Sequence, residues 1–167
     1  MSLSLYDSSV PLLVHALKSL STILDKAEKH CADRKLDEKA LTAFRLYPDM
    51  FPFTRQVQIA CDTAKGCGAR LAGVEVPSHE DVETTFAELR TRIAKTIDFL
   101  EGLQAEQIDG GEDRQIRIKA GPRELEFIAR DYLRTWVYPN FYFHLTTAYN
   151  ILRHNGVELG KRDYLGR

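Results

Sequence analysis

Apolar residues recur three and four positions apart along most of the chain, and four stretches keep that period long enough to predict helices. In the first, Leu13, Leu17, Leu20, Ile23 or Leu24, Ala27 and Cys31 follow "DSSVP", where Ser8 or Ser9 offers a cap and Pro11 falls in the first turn. This helix is expected to end near Ala32. A polar connection containing "DEKALTAF", in part helical, leads to "RLYPDMFPF", whose Pro48 and Pro52 predict an extended, aromatic-rich loop.

The second helix begins near Phe53 and carries a seam of Val57, Cys61, Ala64, Gly68 and Leu71. A glycine inside a helix costs about 1 kcal/mol relative to alanine. Gly66 and Gly68 together therefore predict a closely approaching neighbour or a local kink. The third helix is expected to open at Ser78, with Glu80 and Asp81 in its first turn, and to run through Val82, Phe86, Leu89, Ile93, Ile97 and Leu100 to Gly102 or Leu103.

Residues 107 to 123 break the period. "DGGED" and "AGP" read as turns, and the alternation in "RQIRIK" and "ELEFIA" predicts a two-stranded hairpin outside the bundle core. The last helix starts near Asp131 or at Pro139, the proline marking either a kink or a true start, and Gly156 supplies a left-handed C-cap. The tail "VELGKRDYLGR" must dock or fray. The expected fold is all-α: one domain over residues 1–167, a four-helix bundle with a short β-hairpin between helices three and four.

Composition narrows the function classes. With 167 residues, 44% of them hydrophobic, the chain can bury a core without staples. Cys31, Cys61 and Cys67 form no CxxC pair and no leader-like run precedes the first helix, which predicts a reducing, cytoplasmic setting. A net charge of −1 predicts no nucleic-acid partner, and no apolar run is long enough to cross a membrane.

Bundles build their sites from side chains on facing helices. On the last helix Asn140, His144, Thr147 and Ile151 share a stripe; on the second, Arg55, Gln58 and Asp62 line up beside the apolar seam. These two stripes are the inward-facing polar candidates, with Tyr142 or Tyr149 as further lining. His154 is expected to cap its helix end, whereas His15, His30 and His79 are isolated. Cys61 and Cys67 read as inert core thiols, and "GVELGKR" lacks the spacing and context of a phosphate loop. The aromatic groups around Met50 and Trp136 read as core or end packing, a dimer surface, or a pocket mouth.

The stretches "RLYPDMFPFTRQVQIACDTAKG" and "PNFYFHLTTAYNILRHNGVELGKRDYLG" resemble the DinB/YfiT-like superfamily of metalloenzymes, in a branch known only as a domain of unknown function. The resemblance implies an up-down-down-up four-helix bundle, often a homodimer, with three histidines binding a divalent ion such as nickel or zinc. Counting back from "ILRHNG" places His144 on one ligand position and Asn140 on another. The third falls near Gln58, so only His144 keeps its histidine. No cofactor is therefore expected; Asp62, one turn beyond Gln58, is the carboxylate that could substitute.

Three readings follow. In the first, a metal-independent cleft lined by Gln58, Asp62, Asn140, His144 and Tyr149 binds a small molecule. The second is a nickel- or zinc-dependent thiol transferase or hydrolase of the DinB type. The third is a non-catalytic homo-oligomeric interaction module with a satisfied polar core. If the cleft is catalytic, His144 is the general base or acid and Asp62 its orienter. In a purely structural role, His144 would bond to Gln58, Asp62 or a tyrosine.

Overall fold

The computed structural model describes residues 4–167. Four long helices dominate it: α1 (Val10–Arg34), α3 (Phe53–Ala72), α4 (Phe86–Glu101) and α7 (Tyr138–His154). The short helices are α2 (Lys39–Thr42), α5 (Ala105–Ile108), α6 (Ala129–Asp131) and α8 (Lys161–Leu165), and strands β1 (Gln115–Ala120) and β2 (Arg123–Ile128) stand between α5 and α6. Helix α3 packs on both α7 and α4, while α1 packs on both α4 and α7. One hydrophobic cluster from Leu5 to Leu159 fills the space between them.

The predicted seams are the buried ones. Leu13, Leu17, Leu20, Ile23, Leu24, Ala27 and Cys31 of α1 face the core, as do Val57, Cys61, Ala64 and Leu71 of α3. Of the two α3 glycines, Gly68 explains itself. A Cβ there would lie 2.6 Å from Leu100 Cδ2 and 2.8 Å from Leu103 Cδ1, so the glycine lets the end of α4 close onto α3.

The third long helix starts later than its pattern suggests. Residues 74 to 84 form neither helix nor strand, and Val82, placed on the core stripe by its spacing, is 68% exposed. The stronger start signal is Thr85 with Glu88. The Thr85 hydroxyl accepts from the Glu88 N–H, and the Glu88 carboxylate accepts from the Thr85 N–H, a complete capping box. Glu38 adds a further acceptor for the Phe86 N–H at 2.9 Å. Asp81, expected in the first turn of the helix, instead pairs with arginines of α3 and α4.

Smaller differences have equally local causes. Ser9 precedes α1 but does not cap it, because its hydroxyl donates back to the Leu5 carbonyl at 2.7 Å. The hairpin pairs Gln115 with Ile128 through Ala120 with Arg123, and Gly121 turns it at φ +60°. It is not outside the core: Ile116 and Ile118 on the inward face of β1 belong to the main hydrophobic cluster. Ahead of α7 the chain is already helical, passing through a π-helical stretch, Tyr132–Val137, before Pro139 falls in the first turn of α7. The wider turn accommodates a residue that has no N–H and would crowd the carbonyl four positions back. Gly156 at φ +86° ends α7, and the tail docks, with Val157 and Leu159 buried and Lys26 bonded to Asp163 at 2.6 Å.

Candidate functional site

His144 is buried on α7, and its Nδ1 lies 2.7 Å from Gln56 Oε1 on α3. The neighbouring bond fixes the proton. The Phe51 carbonyl can only accept, so the Gln56 group 2.9 Å from it is the amide nitrogen, and the amide oxygen must face His144. That oxygen also only accepts. His144 Nδ1 therefore carries the hydrogen, and Nε2 keeps its lone pair. Nε2 has no hydrogen-bond partner among the described residues and is not one of the buried unpartnered atoms, so it is not wholly buried.

The surroundings favour the neutral imidazole. Burial, and then the positive charge of Arg55, push the His144 pKa below its ordinary value. The rim is aromatic: Phe143 meets the His144 ring edge-on at 5.1 Å, and the Arg55 guanidinium stands 6.0 Å above the Phe51 ring. Phe51 and Phe143 are 54% and 56% exposed, unusually open for such large apolar groups.

Arg55 joins this site to a second set of charges. It donates to Gln58 Oε1 at 3.3 Å and pairs with Asp81, and Gln58 in turn donates to Glu83 at 2.9 Å. At the centre lies Arg92 of α4, whose side chain is 1% exposed. Its NH2 binds Asp62 at 2.8 Å and Asp81 at 2.9 Å; its NH1 binds Glu83 and the Glu80 carbonyl, each at 3.0 Å. Lys65 reaches Asp62 at 3.0 Å. Burial pulls Arg92 toward neutrality, but the Glu83 hydrogen bond and the charges of Asp62 and Glu83 outweigh it and raise its pKa.

The expected site residues thus fall into separate places. Gln58 and Asp62 belong to the Arg92 network, and His144 is oriented by Gln56 rather than by Asp62, Gln58 or a tyrosine. Asn140 turns its amide back onto the π-helical stretch ahead of α7, donating to the Trp136 carbonyl at 2.6 Å. Tyr149 packs edge-on against Tyr164 of α8, whereas Tyr142 is exposed and touches aromatic neighbours of its own helix, Tyr138 and Phe141. His154 lies against Phe44, and His15 meets the Leu165 carbonyl at 2.9 Å. Cys61 and Cys67 are core thiols pushed up to about 12 by burial.

Gln56, Glu83 and Arg92 were not among the expected residues. Two of them had a signal: Gln56 lies three after Phe53 and four before Ala60, and Arg92 three after Leu89 and four before Thr96, so both stand on inward stripes. Glu83 had none, because its segment reads as helix. No group of three or more His, Cys, Asp or Glu side chains among the described residues is placed to hold a metal ion. No described helix is long and apolar enough to cross a membrane.

Comparison with known proteins agrees with this architecture. Residues 5–165 match the family model described as domain of unknown function DUF1993. The crystal structure of a DinB family member protein from Shewanella denitrificans superposes with a TM-score of 0.88 at 45% identity, covering 98% of this chain and 92% of that one. None of the curated proteins matches. The chain is a DinB-like, mostly helical protein, and it belongs to the DUF1993 family.

Proposed function

We propose that this protein binds a small polar molecule at the His144 face of an up-down-down-up bundle, without a tightly bound metal. The observation that carries this reading is the orientation of His144. Gln56 holds the ring as the Nδ1–H tautomer and leaves an unprotonated Nε2 on a ring that the exposed Phe143 meets edge-on and the charge of Arg55 reaches. The nitrogen that Gln56 leaves unprotonated is an acceptor available to a ligand. A ligand with a hydrogen-bond donor would meet Nε2, its apolar part would lie on Phe51 and Phe143, and Arg55 would favour a negative group. If a reaction follows binding, Nε2 is the base that takes the proton.

The donors at the three positions implied by the superfamily do not fit a divalent transition ion. One is imidazole; the other two are amides already bonded to Trp136 and Glu83. One feature favours the metal-dependent alternative. A histidine whose Nδ1–H donates to an amide oxygen is oriented as metal-binding histidines are.

Ligand-observed NMR against a fragment library, with wild type and His144→Ala compared, tests the proposal. Fragments that bind wild type and are lost in a variant with an unchanged fold support it. A library in which no binding depends on His144 contradicts it. Elemental analysis of untagged protein decides the alternative: about one nickel or zinc per chain, lost in His144→Ala, would establish it.

A further inference from the structure

The segment of residues 74 to 84 lies over α3 and α4 as a strap held by side chains. No backbone–backbone hydrogen bond involves residues 75 to 83 among the described residues. Its anchors are Arg92, which binds Asp81, Glu83 and the Glu80 carbonyl, Arg55, which pairs with Asp81, and Gln58, which donates to Glu83. The strap therefore closes onto a buried cationic centre through two carboxylates of its own.

Charge and donor geometry show what that centre lacks without the strap. Lys65 and Arg92 then share one acid, Asp62, and Arg55 loses its ion-pair partner, so three cations keep a single paired carboxylate. Even with the strap in place Arg92 is incompletely satisfied, since its Nε is buried and has no partner. The strap carboxylates engage NH1 and NH2, whereas a free carboxylate can also take the Nε edge of the guanidinium in a bidentate pair. A cleft of about 400 Å³ opens beside Arg92, lined by His79 and Lys95 and by the acids Glu80, Glu83 and Glu88, the last already held by the Thr84 and Thr85 N–H groups, and gives a small ligand a route to it.

We propose that Arg92, with Arg55 and Lys65, is a binding site for a small dicarboxylate, which the strap covers and contests with Asp81 and Glu83. Two carboxylates on neighbouring donors of one guanidinium are what the strap supplies, and a compact dicarboxylate supplies the same groups in one molecule. Binding displaces the two acidic side chains and frees residues 75 to 83. This site shares Arg55 with the His144 face but uses no atom of His144, so succinate binding that persists in His144→Ala keeps its success or failure separate from that of the His144 reading.

The test is isothermal titration of the full chain with succinate, with inorganic phosphate and chloride at matched ionic strength. The protein carrying both Asp81→Asn and Glu83→Gln should bind succinate at least tenfold more tightly than wild type, because the internal competitors are gone. A gain for phosphate alone, an equal gain for chloride, or no gain would overturn the proposal. Should that variant fail to fold, limited proteolysis of wild type by a glutamate-specific protease decides: succinate should speed cleavage after Glu80 and Glu83, and unchanged cleavage there would overturn the proposal.

Discussion

The Nδ1 of His144 and the Oε1 of Gln56 lie 2.7 Å apart across the contact between α7 and α3, and the Phe51 carbonyl on the far side of Gln56 determines which atom carries the proton. A three-member chain of side chain and backbone thereby holds one ring nitrogen as a donor and leaves the other as a free acceptor.

Gln56→Glu should reverse the electrostatics without removing the acceptor. A carboxylate at this distance favours the imidazolium, so the pKa of His144, now below its ordinary value, should rise. Titration of the ring protons by NMR measures it; a value unchanged or lower would mean that the two side chains do not meet in solution.

Stability should fall on acidification before any carboxylate titrates. The pKa of His144 is lower in the folded chain, so the unfolded chain takes up the proton first. Its contribution is present in full above the unfolded value of about 6.5 and is lost as pH falls through the folded value. The melting temperature should drop from pH 7 toward 5, and His144→Asn should reduce the slope. His79 is shifted in the same direction, by burial first and then by Lys65 and Arg92, so the slope should not vanish. An identical slope in the variant would count against a buried neutral His144.

Arg92→Met removes the partner of three carboxylates at once. Breaking a buried pair from one side is destabilising by about 3–5 kcal/mol. Asp62 and Asp81 are partly exposed and Glu83 nearly buried, so the loss should lie near the lower end of that range. Urea unfolding measures it; a change under about 1 kcal/mol, the scale of an exposed pair, would show the network to be superficial.

Gly68→Val should destabilise by overpacking, by about 1–3 kcal/mol. Even the first added carbon meets Leu100 and Leu103 well inside contact distance. Thermal unfolding checks this, and a neutral effect would mean that α3 and α4 do not close as described.

Much of this architecture is readable from the chain because burial imposes a period. Leu13, Leu17, Leu20 and Leu24 announce α1 and are fully buried in it, and the alternation around Ile116 and Ile118 announces β1. Reading fails where a polar contact across the fold overrides a local signal. Ser78, Glu80 and Asp81 look like a helix start, but Asp81 is held by Arg55 and Arg92 and the capping box lies seven residues after Ser78. The site is legible in part for the same reason. His144 and Arg55 stand out from their own helices, whereas Gln56 becomes the orienter only because α3 and α7 pack at a distance that brings it to Nδ1. Asn140 shares a stripe with His144, yet the Trp136 carbonyl one turn before it claims its amide.

The central claim is the tautomer of His144, and nitrogen-detected NMR of its ring at neutral pH tests it most directly. A protonated Nδ1 and an unprotonated Nε2 are expected, with the Nε2 resonance moving when a ligand binds. A ring protonated at Nε2, or one charged at neutral pH, would contradict it.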